Sequence, residues 1–341
     1  LADDSIDINE KIAKQFEVGQ LYFKGGKYQQ ALAAYNRILT HFAEQMQKQP
    51  SGDDGKSVRE LANIHYHCAL SYYELKNYAS AINSARTCLS LNPEPAVKLR
   101  AQYTLAMSAM QNRTNPMAEK AFLELVGELE NQHVNESSPM GSAGEGKAPA
   151  APSPSLLASA HFQLGRLAVE RRAYDEAIAH YSSALAHGIS GEGRAETLSE
   201  LGYCALQAGD REAAFSCYQK LIEDGTAHSG WLAPAFLALG DLHREAKEWK
   251  EAEPFYRSAR QHADAIGLGK SVRSGSAFKL GESLYSQGRF FEAISPFEDA
   301  ISLDPKAPWS ADAAYGLATS QAEMENFQAA LDAYRRAGSR L

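Results

Sequence analysis

Long apolar runs are missing from this 341-residue sequence. None approaches the ~18 consecutive apolar residues of a membrane-spanning helix, so no direct membrane insertion is expected. Blocks of basic residues are missing too. The formal net charge is −8, and the densest basic group, Arg166, Arg171 and Arg172, lies beside Glu170 and Asp175. Nucleic-acid binders carry a basic face, so no nucleic-acid partner is expected. Cysteine is scarce: Cys68, Cys88, Cys204 and Cys217 form no CxxC pair and match no zinc spacing. Cys68 and Cys88 stand where other copies of a repeat, described below, carry Leu or Ala. Free, buried thiols in a reducing compartment are therefore expected. The chain begins at Leu1, so the lack of a secretory leader decides nothing by itself. The cytoplasm is the expected compartment, with the bacterial periplasm as the alternative.

Catalytic signatures are equally sparse. There is no phosphate-cradling glycine loop, nucleophile elbow or zinc-protease helix. Gly267-Leu268-Gly269-Lys270 lacks the long glycine spacing and the preceding strand of a phosphate loop, and reads as a connection between helices. His65 and His67 lie two apart, which on a helix points them in different directions. His65 is expected on the buried side and His67 on the open side, so no shared metal follows. No enzymatic activity, cofactor or metal is expected.

What the sequence does contain is repetition. A pattern of about 34 residues can be laid over it eight times, the mark of stacked helical units that bury their apolar faces against one another. One column is alanine throughout: Ala31, Ala81, Ala118, Ala177, Ala214, Ala252, Ala293 and Ala330. A second small column precedes it: Gly19, Ala69, Ala106, Gly165, Gly202, Gly240, Gly281 and Ala318. Just before that comes a large apolar column, from Val18 and Cys68 to Leu280 and Leu317. After the alanine comes a mostly aromatic one: Tyr35, Ala85, Phe122, Tyr181, Tyr218, Tyr256, Phe297 and Tyr334. These offsets place apolar side chains on one helix face. The small columns allow close helix approach, and the aromatics are expected to fill the space between successive hairpins. Gly25-Gly26, Gly209-Asp210 and Gly288-Arg289 suit tight turns between paired helices. Asn92-Pro93 and Asp304-Pro305 close two units, since proline cannot continue a helix.

The chain resembles the tetratricopeptide repeat (TPR) family. Leu280-Gly281, Phe290, Ala293, Phe297, Ala300 and Pro305 reproduce the family pattern almost completely. The third unit departs at Asn115-Pro116 and the fifth at Arg211, where the family carries an aromatic. The resemblance implies an all-α fold, a right-handed solenoid of antiparallel helix hairpins. Three units are placed within residues 1–132, with a polar loop at 46–57, and five within 158–341. Residues 133–157 between them, rich in Ser, Pro, Ala and Gly, read as a mobile linker or an extruded loop.

In this family the first helix of each hairpin lines a concave groove. By register, the first unit presents Phe16, Gln20 and Phe23 there, and the second Tyr66, His67, Leu70 and Tyr73. The third presents Tyr103, Met107 and Met110, and the fourth Phe162 and Arg166. Later units present Tyr203, Arg244, Lys279 and Tyr285, with Glu200, Asp241, Phe278, Glu282, Tyr315 and Glu323. The N-terminal set is unusually apolar for a surface facing water. It either receives an amphipathic helix or extended peptide, with Tyr66, Tyr73, Tyr103 and Met107 as anchors, or packs on the chain itself. The lysine and asparagine clamp with which some members hold chaperone tails is absent: Phe16, Gln20 and His67 stand in its place. Three functional classes follow. The first is a non-catalytic scaffold for a protein or peptide partner within an assembly. The second is a regulatory or targeting region of a longer enzyme. The third is a self-associating adaptor whose uncapped C-terminal repeat stacks on another copy.

Overall fold

A computed structural model describes residues 8–48, 54–136, 154–225 and 230–338. Sixteen α-helices and no strand are found among them. The chain divides into two compact units, Leu1–Leu167 and Ala168–Leu341. The first contains α1 (Ile8–Lys24), α2 (Tyr28–Lys48), α3 (Asp54–Glu74), α4 (Tyr78–Ser90), α5 (Pro95–Gln111) and α6 (Asn115–Glu136). It also contains most of α7 (Pro154–Glu170). The second contains α8 (Tyr174–Ala186), α9 (Gly191–Gln207), α10 (Arg211–Glu223), α11 (Leu232–Glu245) and α12 (Trp249–Ala265). It ends with α13 (Lys270–Ser286), α14 (Phe290–Leu303), α15 (Ser310–Glu323) and α16 (Phe327–Gly338). Within each unit a first helix packs on the second helix that follows, as α3 on α4 and α13 on α14, and that helix on the next first helix, as α4 on α5 and α14 on α15. No described helix is long and apolar enough to cross a membrane.

Every first helix closes in the same way. The residue five positions before the alanine column has positive φ in all eight turns: Gly26, Lys76, Arg113, Arg172, Gly209, Lys247, Gly288 and Glu325. Its N–H donates to the carbonyl three residues back, and the next N–H to the carbonyl five back. At the α3–α4 turn these bonds are Lys76 to Tyr73, 2.8 Å, and Asn77 to Tyr72, 2.9 Å. This pair of bonds occupies carbonyls that a helix end would otherwise leave without donors. Asn77 and Asp210 then cap the second helix, accepting from the backbone N–H of Ser80 and Ala213.

The small column works through contact. A Cβ built at Gly240 would stand 2.5 Å from Tyr256 Cε1, and Gly19, Gly202 and Gly281 face Tyr35, Tyr218 and Phe297 as closely. The ring thus fills the gap that the glycine leaves inside its own hairpin. Phe297 also lies against Gly316 of the next hairpin, so the aromatic column serves both interfaces. All four cysteines are buried and free.

Two segments read as loop from sequence are shorter than expected. Residues 46–48 end α2 and 54–57 begin α3. Likewise 133–136 continue α6 and 154–157 open α7, where Leu157 is buried. Pro154 suits a first helical turn, which needs no N–H from it. The remaining linker residues, 137–153, lie outside the described residues.

Candidate partner-binding surface

In the first unit the groove residues from α1, α3 and α5 are half-buried and pack largely on one another. Phe16 meets the His67 ring edge-on at 4.9 Å, and Tyr66 and Tyr35 lie 5.3 and 5.6 Å from the same imidazole. His67, expected on the open side, is therefore enclosed by rings contributed by α1, α2 and α3. Burial, helped by the nearby Arg100 guanidinium, lowers its pKa to about 4. Its Nδ1 is buried without a hydrogen-bond partner among the described residues.

Phe23 and Tyr73 share another role. Each ring packs edge-on against the aromatic that opens the following helix, Phe23 on Tyr28 at 5.2 Å and Tyr73 on Tyr78 at 5.6 Å. Tyr285 packs on Phe290 in the same place in the second unit, tilted, at 5.3 Å. Tyr103 lies edge-on to Phe122 at 5.8 Å, and Met107 and Met110 pack on the same core. Gln20 and Leu70 are half-buried. Tyr73 and Tyr103 stand on helices that touch, α3 and α5; burial raises the pKa of both phenols, and Tyr73 raises that of Tyr103 further.

Phe162 does not belong to an open surface. It is 7% exposed, because α7 is buried on nearly all sides between residues 157 and 167. Arg166 is the exposed residue of that stretch. In contrast, Arg100 was not identified from sequence. It is exposed, has no ion pair among the described residues, and lies near enough to Tyr66 and His67 to oppose the burial-driven rise of the phenol and to lower the imidazole further. The signal was present in its register, one helical turn before Tyr103.

The second unit carries a polar set. Lys279 Nζ donates to Asp241 Oδ1 at 2.6 Å, and the Tyr256 hydroxyl donates to the same oxygen at 2.8 Å. Arg244 Nε stands 3.4 Å from it. The Glu282 carboxyl is raised by burial, against the pull of Arg244 and Lys279. Tyr203 and Tyr315 are exposed, each ring edge-on to another tyrosine, Tyr174 at 6.2 Å and Tyr334 at 5.7 Å. Such a surface offers donors, acceptors and ring faces, the materials of peptide recognition.

Tetratricopeptide-repeat family models match residues 15–44, 62–95, 162–229 and 278–339. Among solved structures, the C-terminal part of a TPR repeat-containing protein from Cytophaga hutchinsonii aligns with a TM-score of 0.60 at 16% identity, covering 87% of this chain and 98% of its own. MamA, residues 41 to the end, from Desulfovibrio magneticus RS-1 aligns at 0.43 and 16% identity, covering 54% of this chain and 94% of its own. YrrB, described as a TPR protein with an unusual peptide-binding site, aligns at 0.43 and 22%, covering 53% and 84%. These likenesses concern the fold. No curated protein matches the sequence.

Proposed function

This chain belongs to the tetratricopeptide-repeat family, and from that premise we propose that it is a non-catalytic scaffold for a peptide or helix of a partner protein. The segment lies along the first helices of the N-terminal hairpins. The observation that carries the reading is the packing of α3 on α5, which sets the half-buried Tyr66, Tyr73 and Tyr103 and the exposed Arg100, without an ion pair among the described residues, on two helices in contact. A floor of rings with an exposed cation at its edge suits a segment that brings apolar side chains and a carboxylate. Because these rings already pack on the chain, the partner gains from a preorganised surface rather than from ordering a loose one. Four buried free thiols suit a reducing compartment such as the cytoplasm.

The test is affinity purification from the native source with wild type, Tyr73→Ala/Tyr103→Ala and Arg100→Glu as baits, each verified as folded by circular dichroism. A partner retained by wild type and lost by both variants is the expected result. Identical partners with all three baits would overturn the placement.

A further inference from the structure

The fifth hairpin departs from the repeat where the hairpins on either side carry a ring. The residue that opens the second helix is Tyr28, Tyr78, Tyr174, Trp249, Phe290 or Phe327 in six hairpins, and Arg211 in this one. Arg211 reaches to the next hairpin instead, donating from Nη1 to Glu245 at 2.7 Å and from Nη2 to the Leu242 carbonyl at 3.3 Å. Beside this guanidinium opens a cavity of about 310 Å³, lined by Arg211, Glu212 and Phe215 of α10, Leu242 and His243 of α11, and Glu248. That volume stands at the lower end of the range for ligand sites. The cavity lies between two internal hairpins of the second unit, so described helices flank it on both sides.

Its walls are held by their own contacts. The His243 imidazole is stacked on Phe255 at 5.4 Å, meets Phe215 edge-on at 5.8 Å, and donates from Nδ1 to Glu248 Oε2 at 2.8 Å. Phe215 and Leu242, both half-buried, pack on the core of these hairpins and give the cavity an apolar floor. The charges around it do not balance. With Arg211 matched by Glu245, the carboxylates of Glu212 and Glu248 face one imidazole, an excess of negative charge in either state of that ring. Glu212 is exposed and has neither hydrogen bond nor ion pair among the described residues.

We infer that this cavity takes a lysine side chain presented by a partner protein, its aliphatic stem along Phe215 and Leu242 and its ammonium at Glu212 and Glu248. Lysine lays its methylenes on apolar surface while its head stays at the water, which matches a floor of this kind under a charged mouth. An acidic residue would meet two carboxylates, and an uncharged apolar one would leave Glu212 without a partner. The site is separate from the N-terminal groove and does not depend on that reading.

The test titrates the whole chain with Nα-acetyl-lysine amide and follows the ring-proton NMR signals of His243. The norleucine analogue, with the same stem and no charge, is the control. Saturable shifts with the lysine probe are expected, and affinity lower by roughly tenfold or more with norleucine, which forms neither ion pair. Glu212→Gln, at an exposed position, should weaken the lysine probe by about fivefold, the upper end for an exposed ion pair. Glu248→Gln still accepts from His243 and should weaken it similarly. Circular dichroism checks folding, and the His65 signals, in the first unit, should not respond. Equal binding of the two probes overturns the inference, as does equal binding of the lysine probe by wild type and both variants. So does spermidine that saturates the cavity while the lysine probe does not, which would make the occupant a free polyamine. The variants retain Tyr73, Tyr103 and Arg100, so failure here leaves the groove reading standing.

Discussion

Tyr35 and Tyr256 occupy the same column, both fully buried, yet their hydroxyls have opposite fates. The Tyr256 hydroxyl donates to Asp241 at 2.8 Å, whereas that of Tyr35 is buried with no partner among the described residues. Burial raises the Tyr35 pKa to about 12. One ring position thus serves a polar network in the second unit and apolar packing in the first.

The same substitution should therefore have opposite effects at the two sites. Tyr35→Phe removes an unsatisfied hydroxyl and should be neutral or stabilise by up to about 1 kcal/mol, whereas Tyr256→Phe removes a bond to a carboxylate and should cost about 1–2 kcal/mol. Urea unfolding of both variants checks the contrast, and equal losses would contradict it.

Glycine-to-alanine changes separate contact from propensity. Gly127 in α6 has open space where a Cβ would go, so Gly127→Ala should stabilise by about 1 kcal/mol through helix propensity alone. Gly240→Ala drives a methyl into the buried Tyr256 ring, and overpacking of about 1–3 kcal/mol should outweigh that gain. Thermal unfolding should move the two midpoints in opposite directions.

Five turns hold a side chain where glycine is easier. Lys76, Arg113, Arg172, Lys247 and Glu325 have φ between 58 and 61°. Lys76→Gly relieves left-handed strain but adds freedom to the unfolded chain, and should leave a net gain of about 0.5–1 kcal/mol. The reverse change, Gly209→Ala, should destabilise, as thermal unfolding of both would show.

His67 links stability to pH. The folded ring titrates near 4 and an unfolded histidine near ~6.5, so between these values the unfolded state binds more protons. Stability should fall as pH drops through this window and level off for this group below it. The ring is half-buried, so after solvent screening the loss should be no more than about 2 kcal/mol. In His67→Leu that component should vanish, which urea titrations of both proteins from neutral pH downward can measure; parallel curves would contradict it.

The repeat was legible because its constraint is steric. A ring and a glycine touch inside four hairpins, Gly19 with Tyr35, Gly202 with Tyr218, Gly240 with Tyr256 and Gly281 with Phe297, and that contact leaves two readable columns. The five lysine, arginine and glutamate turns were not legible, since hydrogen bonds from the backbone impose positive φ there and no side-chain type announces it. Register placed these residues on the first helices of their hairpins but carried no information on what covered them. His67 is enclosed by rings from three helices, and Phe162 sits on a helix buried nearly all round. Arg100 was not legible because a single cation on a helix face alters no apolar or aromatic spacing.

Among the described residues, the helix pairs in substantial contact all lie within one hairpin or between adjacent hairpins. No such handshake locks a distant hairpin among these residues. Pulled from its ends, the protein should surrender one hairpin at a time, each step paying out about 34 residues and roughly 110–120 Å of extended chain. A tether built this way yields under load while its remaining hairpins keep their grip.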